Sequence, residues 1–142
     1  MKIYLSVPMI ANRTLSRANI LAKAIRDSGH EVASPWVLGP VEKDSVAVNV
    51  FQRDRLGVEN SDATLADVSQ PSTGVGMEIM AAYKARKRII LVAKKGSILS
   101  RMLLHMEGKE LVEFEDDEDL YEKVLKQLKT SPGMAGRPGS SQ

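Results

Sequence analysis

The sequence of 142 residues contains no cysteine, which excludes several classes of protein at once. Without thiols the chain cannot form a disulfide scaffold, a zinc ribbon, an iron–sulfur cluster or a cysteine nucleophile. Histidine is almost as scarce, because only His30 and His105 are present and they stand far apart. Neither has carboxylates at metal-ligand spacing, so their positions favour a strand start and a helix end over metal ligation. The sequence predicts no metal site.

Aromatic residues are few at 4%, and long apolar runs and an excess of one charge are also missing. No apolar run approaches the ~20 residues that a membrane-spanning helix needs. Lysine and arginine number 20 against 18 acidic residues, and the resulting net charge of +2 argues against binding to a nucleic-acid polymer. The amino-terminal stretch lacks the apolar region and cleavage site of a secretory signal, so we expect a cytoplasmic protein that contacts no membrane.

What is present is the composition of an ordinary folded domain, with 43% hydrophobic and 27% charged residues. We expect one domain over residues 1–130. Residues 131–142, with the sequence SPGMAGRPGSSQ, are dominated by glycine, proline and serine and offer little apolar surface to bury. This composition is typical of a disordered tail.

The hydrophobic period of residues 1–130 alternates between that of a strand and that of a helix. Five strands alternating with helices predict a parallel sheet with helices on both faces, a three-layer sandwich of flavodoxin-like or Rossmann-like topology. In such sheets ligands bind beyond the carboxyl ends of the strands. The predicted strands are 2–7, 30–34, 63–68, 88–93 and 111–114, and the predicted helices are 14–28, 45–60, 75–86, 98–105 and 118–129.

Common cofactor and hydrolase motifs are incomplete or absent. Gly74-Val75-Gly76 begins like a dinucleotide fingerprint, but Ile79 stands where the third glycine belongs, and the segment follows the third strand instead of the first. No P-loop and no GxSxG nucleophile elbow occurs in the sequence. The pattern argues against a nicotinamide cofactor and against serine-hydrolase chemistry, and we expect no cofactor.

One carboxylate stands out because it lies on the apolar face of a predicted helix. Asp54 is at helical spacing with Ala47, Val50, Phe51 and Val58. A charge on a core-facing stripe is costly unless it is paired or functional. A buried salt bridge, a cap for a neighbouring loop and a catalytic role all remain open for Asp54.

A second carboxylate, Glu78, lies in the first turn of the predicted helix 75–86, after a turn formed by Gly74 and Gly76. We expect the glycines to let the backbone approach a ligand closely and the helix amino terminus to keep Glu78 ionised. Stabilisation of the helix dipole is the alternative. Two carboxylates around one cleft suit substitution at an anomeric carbon, in which an ionised Glu78 attacks and a partly protonated Asp54 assists the leaving group.

These residues occur in a pattern that resembles the nucleoside 2-deoxyribosyltransferase superfamily. The similar stretches are 52–54, 60–63 and 67–78, and the most specific part is the block Gln-Pro-Ser-x-Gly-Val-Gly-x-Glu that ends at Glu78. Asp54 precedes Glu78 at the spacing of the family. Within the superfamily the sequence resembles most the 2'-deoxynucleoside 5'-phosphate N-hydrolases, and the similarity covers most of residues 1–130.

The resemblance implies a specific reaction. Such hydrolases cleave the N-glycosidic bond of a 2'-deoxynucleoside 5'-monophosphate through a covalent glutamyl ester, giving a free base and 2-deoxyribose 5-phosphate. Glu78 matches the nucleophile, Asp54 the aspartate that handles the leaving base and the sugar, and Tyr4 the tyrosine that holds the nucleophile. No metal or cofactor is implied. Exchange of bases by a transferase and a non-catalytic nucleotide-binding module are the alternatives.

The resemblance also implies a phosphate site and a homodimer. Ser72 matches a phosphate-binding serine beside Gly74 and Gly76, and Ser100 matches a serine that the hydrolases donate across a dimer interface. Plain turn and helix roles are the alternatives for the two serines.

Three further residues are candidate ligands for the nucleotide. The turn after the first strand, 8–13, lacks the glycine usual in the hydrolases, but Asn12 and Arg13 beside the next helix could supply donors to a phosphate. Trp36 could stack on a base or simply lie at the rim.

Overall fold

The computed structural model describes residues 1–9, 15–40 and 48–130. Within them a five-stranded sheet has the order β2-β1-β3-β4-β5, and every neighbouring pair is parallel. This order and the helices on both faces confirm the predicted three-layer α/β fold with flavodoxin-like topology. The elements are β1 (Lys2–Ser6), α1 (Leu15–Asp27), β2 (Glu31–Val32), a 3₁₀ helix (Pro35–Leu38), α2 (Val50–Glu59), β3 (Ala63–Asp67), α3 (Thr73–Lys84), β4 (Arg88–Lys94), α4 (Arg101–His105), β5 (Lys109–Phe114) and α5 (Asp117–Leu128).

The sheet separates two hydrophobic cores, because successive side chains of a strand point to opposite faces. Helices α1 and α5 cover one face, where Ile3 and Leu5 of β1 are fully buried. Helices α2 and α3 cover the other face, where Tyr4 and Ala66 are fully buried. All the side chains of the candidate chemistry described below lie on the α2/α3 side. Among the described residues, no helix has the length and apolar character needed to cross a membrane.

Helix α2 differs from its prediction. It begins at Val50, where the side-chain oxygen of Asn49 accepts a hydrogen bond from the backbone N–H of Gln52 at 2.9 Å. The predicted apolar stripe is wrong, since Val50 is 44% and Phe51 60% exposed, whereas Val58 is fully buried. The first three residues of the helix are exposed, and the residue of α2 that is fully buried is Val58, near its end. Residues 41–47, including Ala47, lie outside the described residues.

Helix α3 begins earlier than predicted, at Thr73, because the Ser72 side chain caps it by accepting a hydrogen bond from the backbone N–H of Val75 at 3.3 Å. Gly74 and Gly76 are therefore residues of the first helical turn and do not form the separate turn that was expected. The prediction that Glu78 lies in the first turn is wrong, because the helix starts five residues before it.

The end of α5 is tied to the amino-terminal edge of the sheet. Arg88, the first residue of β4, is 3% exposed and donates to both carboxylate oxygens of Glu110 at 2.8 Å. The same guanidinium donates to the carbonyl oxygens of Gln127 at 3.0 Å and Thr130 at 3.3 Å. With the Thr130 hydroxyl oxygen at 3.4 Å, five acceptors offset the cost of removing the charge of Arg88 from water.

Candidate active site

A carboxyl group held by two hydroxyl donors lies at the centre of the α2/α3 side. The Tyr4 hydroxyl donates to Glu78 Oε2 at 2.5 Å, and the Ser6 hydroxyl donates to Glu78 Oε1 at 2.6 Å. Each oxygen of the carboxyl group thus has its own donor. Tyr4 and Ser6 are fully buried, so the position of Glu78 is fixed by the sheet and not by solvent-exposed side chains.

The strand explains why these two donors act together. Tyr4 and Ser6 are two residues apart in β1, and alternate residues of a strand share a face. Ser6 was missed by the sequence reasoning. The signal available was a polar residue that lies in step with Tyr4 inside an otherwise apolar strand.

The buried environment controls protonation of Glu78. Burial raises the pKa of Glu78 from 4.5 to about 7; the hydroxyl donors Ser6 and Tyr4 lower it, and the charge of Asp54 raises it. The expectation that a helix terminus keeps Glu78 ionised is therefore wrong, because desolvation dominates. The pKa of Tyr4 is also raised, first by burial and then by the charge of Glu78, so its hydroxyl stays a neutral donor.

Asp54 meets this cluster from α2. Its carboxyl group lies close enough to Glu78 for its charge to raise the pKa of Glu78. Asp54 is 22% exposed, and its Oδ1 accepts a hydrogen bond from Arg53 Nε at 2.9 Å. The structure thus brings together Glu78, Asp54 and Tyr4.

Trp36 packs above this cluster. Its ring lies edge-on to Tyr4, with centroids 6.1 Å apart, and the guanidinium carbon of Arg53 lies 4.6 Å from the indole centroid. Gly57 of α2 makes the packing possible, because a Cβ at that position would lie 2.8 Å from Tyr4 Cε2 and 3.4 Å from Trp36 Cη2. The sequence reasoning missed both Arg53 and Gly57. A glycine inside a predicted helix was the available signal for Gly57.

Three of the predicted substrate-binding residues line a cavity away from the two carboxyl groups. An apolar groove of about 1260 Å³ between α3 and α4 is lined by Ser72, Gly76 and Ser100, and its lining does not include Glu78 or Asp54. Its walls expose large apolar side chains, which are Met77 and Met80 of α3, Ile98 before α4 and Met102 of α4.

The two serines of the groove cap helices. Ser72 caps α3, and exposed Ser100 caps α4 by accepting from the backbone N–H of Met102 at 3.2 Å. Gly74 is exposed in the first turn of α3 beside Ser72. Asn12 and Arg13 lie outside the described residues.

Within residues 1–9, 15–40 and 48–130 no group of three or more histidine or carboxylate side chains is placed to hold a metal ion. The chemistry that this part of the chain offers is that of two interacting carboxyl groups with hydroxyl donors. Such a pair can attack a carbon with one oxygen and give a proton with the other.

Comparisons with known proteins identify the family of this chain. No protein-family model matches the chain. A protein of Thermofilum pendens named "Putative 2'-deoxynucleoside 5'-phosphate N-hydrolase 1" is 32% identical over 142 residues, which cover 94% of this chain and 99% of the relative. A protein of the same name from Methanococcoides burtonii is 33% identical over 110 residues, 73% of this chain and 89% of the relative.

A solved structure shows the same fold. The 2-deoxyribosyltransferase of Bacillus psychrosaccharolyticus matches with a TM-score of 0.66 at 26% identity, over 94% of this chain and 100% of that chain. Each of the two sequence relatives is more than 30% identical to this chain, and each match covers most of this chain and most of the relative. The chain therefore belongs to the 2'-deoxynucleoside 5'-phosphate N-hydrolase family and has the fold of the nucleoside 2-deoxyribosyltransferases.

Proposed function

We propose that this protein hydrolyses the N-glycosidic bond of 2'-deoxynucleoside 5'-monophosphates to a free base and 2-deoxyribose 5-phosphate. One observation carries the proposal: the buried carboxyl group of Glu78 receives two hydroxyl donors and interacts with a second carboxyl group, that of Asp54. The names of the relatives supply the substrate class.

The first half of the reaction makes a covalent ester. A Glu78 carboxylate oxygen attacks C1' from the face opposite the base, and the bond between C1' and the base nitrogen breaks. The proton that the carboxyl pair holds passes through Asp54 to the departing nitrogen. Tyr4 and Ser6 stay hydrogen-bonded to Glu78 and hold its attacking oxygen in place.

The second half releases the sugar. Asp54, now ionised, takes a proton from water, the water oxygen attacks C1', and Glu78 leaves as a carboxylate. The pair again holds one proton, and two displacements at C1' retain its configuration. Because hydrogen bonds to an anionic carboxylate are stronger than those between neutral groups, Tyr4 and Ser6 also stabilise Glu78 as the leaving group.

The first turn of α3 supports a 5'-phosphate site. Ser72 uses its oxygen lone pair for the helix cap, so its O–H remains able to donate to an anion. Gly74 and Gly76 carry no Cβ, and nothing stands within 4 Å of the Cβ position at either residue. An anion could therefore approach the backbone of this turn closely, as is favourable at a helix amino terminus.

The groove between α3 and α4 supports a homodimer. Met102 is 74% and Ile98 91% exposed, an arrangement that favours burial against an apolar partner surface. A second copy seated there would bring its Ser100 near Ser72, since both serines line the same groove. The dimer would then complete the phosphate site.

Base release tests the proposal directly. The purified protein is incubated with 2'-deoxynucleosides, their 5'-monophosphates and the ribose counterparts, and free base is measured by chromatography. Glu78→Gln should lower release from the preferred substrate by roughly a thousandfold or more, whereas Asp27→Asn on α1 should leave it unchanged. A wild-type protein that binds the nucleotides but releases no base would contradict an enzymatic function.

The likeness to a 2-deoxyribosyltransferase structure makes base exchange the second candidate. Adding a second free base to the assay distinguishes the two reactions. A hydrolase gives 2-deoxyribose 5-phosphate and no new nucleotide, and exchange without net hydrolysis would favour the transferase. Intact-protein mass spectrometry after acid quenching should show a sugar adduct in either case, and Glu78→Gln should abolish it.

A further inference from the structure

Arg53 contacts Asp54 in a way that the geometry of a helix does not favour. Side chains of consecutive helical residues point about 100° apart and do not normally face each other. Nevertheless Arg53 Nε donates to Asp54 Oδ1 at 2.9 Å. The neighbouring pair Arg55 and Glu59, four residues apart on the same helix, shows the ordinary arrangement, with an N–O distance of 2.9 Å.

The indole of Trp36 accounts for this unusual contact. The Arg53 guanidinium carbon lies 4.6 Å from the Trp36 centroid, a cation–π distance, so the planar group is held against the ring and its Nε is turned toward Asp54. Trp36 is itself fixed, edge-on, against Tyr4. The guanidinium is therefore supported by the same residues that surround Glu78.

We infer that Arg53 is a positioning residue of the catalytic pair, which orients Asp54 and holds a permanent positive charge beside the carboxyl groups of Asp54 and Glu78. The inference rests on the proposed hydrolase function. Arg53 keeps its own proton at every physiological pH, so it cannot be the acid. Its Nε binds Oδ1 of Asp54.

The charges around the pair make the effect of Arg53 predictable. The titratable groups that act on it are Tyr4 from β1, Glu78 from α3 and Asp54 from α2, all of which are acids, whereas Arg53 supplies positive charge. A cation favours the ionised form of nearby carboxyl groups. Removing it should therefore raise the pKa of Glu78 further and move the pH dependence of the reaction upward.

The test compares Arg53→Gln and Arg53→Lys, with Arg55→Gln as the matched control on the same helix. In Arg53→Gln we expect kcat to fall roughly ten- to a hundredfold with a much smaller change in KM. Both limbs of the pH profile of kcat/KM should move upward by roughly one pH unit. Arg53→Lys should restore the position of the limbs but only part of kcat, because it keeps the charge without the planar contact.

Two further measurements keep the inference separate from the proposed function. Carboxyl carbon NMR of the substrate-free protein, with Glu78→Gln to assign the signal, should show the Glu78 titration at higher pH in Arg53→Gln and unchanged in Arg55→Gln. Trp36→Leu keeps the charge of Arg53 but removes the ring against which it packs. This variant should have a lower kcat, while the two limbs of its pH profile stay near their wild-type positions.

The outcomes distinguish the alternatives. A wild-type protein without any base release would refute the hydrolase, and the NMR titration would still decide the role of Arg53. Unchanged limbs and an unchanged Glu78 titration in Arg53→Gln would overturn the inference. An equal loss of kcat in Arg53→Lys and Arg53→Gln with no pH shift would overturn it also, because a purely structural contact would then explain the data.

Discussion

At the scale of single residues, the protonation of Glu78 links stability to pH. Its pKa is raised from 4.5 to about 7, so the folded chain binds more protons than the unfolded chain between these values. Stability should therefore fall as the pH rises from about 4.5 to about 7, with no penalty below this range and the full penalty above it.

Glu78→Gln removes this dependence because glutamine does not titrate. We expect the free energy of unfolding of the variant, taken relative to that of the wild type, to be roughly 1 to 3 kcal/mol larger at pH 8 than at pH 5. Thermal denaturation of both proteins at the two pH values measures the difference. A stability difference that is the same at both values would show that Glu78 is not desolvated as described.

Tyr4→Phe removes one of the two donors to Glu78. Since the Tyr4 hydroxyl lowers the pKa of Glu78, its loss should raise that pKa further, and it should reduce kcat by roughly a hundredfold. Tyr121→Phe is the matched control, because the Tyr121 hydroxyl donates to Asp27 Oδ2 at 2.5 Å on the other side of the sheet. In steady-state kinetics the kcat of Tyr4→Phe should be far lower than that of Tyr121→Phe. Similar kcat values in both variants would argue against Tyr4 as a residue that supports the nucleophile.

Sequence reasoning found some of these residues and not others for a physical reason. Tyr4, Asp54 and Glu78 belong to a recognisable pattern. Ser6 reaches Glu78 on a different element, and Arg53 is held against Trp36 of another element. No local spacing encodes such contacts. The protonation of Glu78 was predicted wrongly, because desolvation depends on the packing of β1 and α2 around it, which a linear pattern does not show.

At the scale of elements, the close approach of α2 to β1 depends on Gly57. Alanine ordinarily favours a helix over glycine, but its Cβ would lie 2.8 Å from fully buried Tyr4. We expect Gly57→Ala to destabilise the fold by roughly 1 to 3 kcal/mol and to lower kcat by displacing Tyr4.

Gly74→Ala provides the comparison for stability alone, because nothing lies within 4 Å of the Cβ position there. This substitution should stabilise α3 by roughly 0.5 to 1 kcal/mol. Chemical denaturation measures both variants. Equal changes in the free energy of unfolding for the two substitutions would mean that Gly57 is not needed for the close approach of α2 to Tyr4.

The boundaries of elements were predicted less well than their existence. The strand expected at 30–34 is only Glu31–Val32, because this edge strand pairs with β1 at two positions. The stripe expected on α2 failed because the first three residues of that helix are exposed. Apolar residues at helical spacing predict a helix, but they do not tell which of them meet the sheet.

At the scale of the whole molecule, the fold was predictable because a parallel sheet buries both faces and therefore has nearly continuous apolar strands. Assembly was not predictable in the same way. The resemblance implied a homodimer and residues 98–104 are apolar enough to pair, but only the structure shows that Ile98 and Met102 are exposed among the described residues.

The proposed dimer can be separated from the chemistry. Met102→Glu should convert a dimer to a monomer, since it places a charge on the exposed apolar surface, and it should raise KM for the 5'-monophosphate. Ser100→Ala should raise KM while the protein stays dimeric. Analytical ultracentrifugation and kinetics at matched concentrations test both. A wild-type protein that sediments as a monomer at micromolar concentration would refute the shared phosphate site.

The anchoring of Thr130 by Arg88 has a practical consequence. The carbonyl oxygen of Thr130 is bound at the edge of the sheet where the strands start, whereas the chemistry follows the ends of the strands. A protein tethered to a surface through residue 130 should therefore present its catalytic edge to the bulk liquid, which makes this edge of the sheet the natural side for immobilising it.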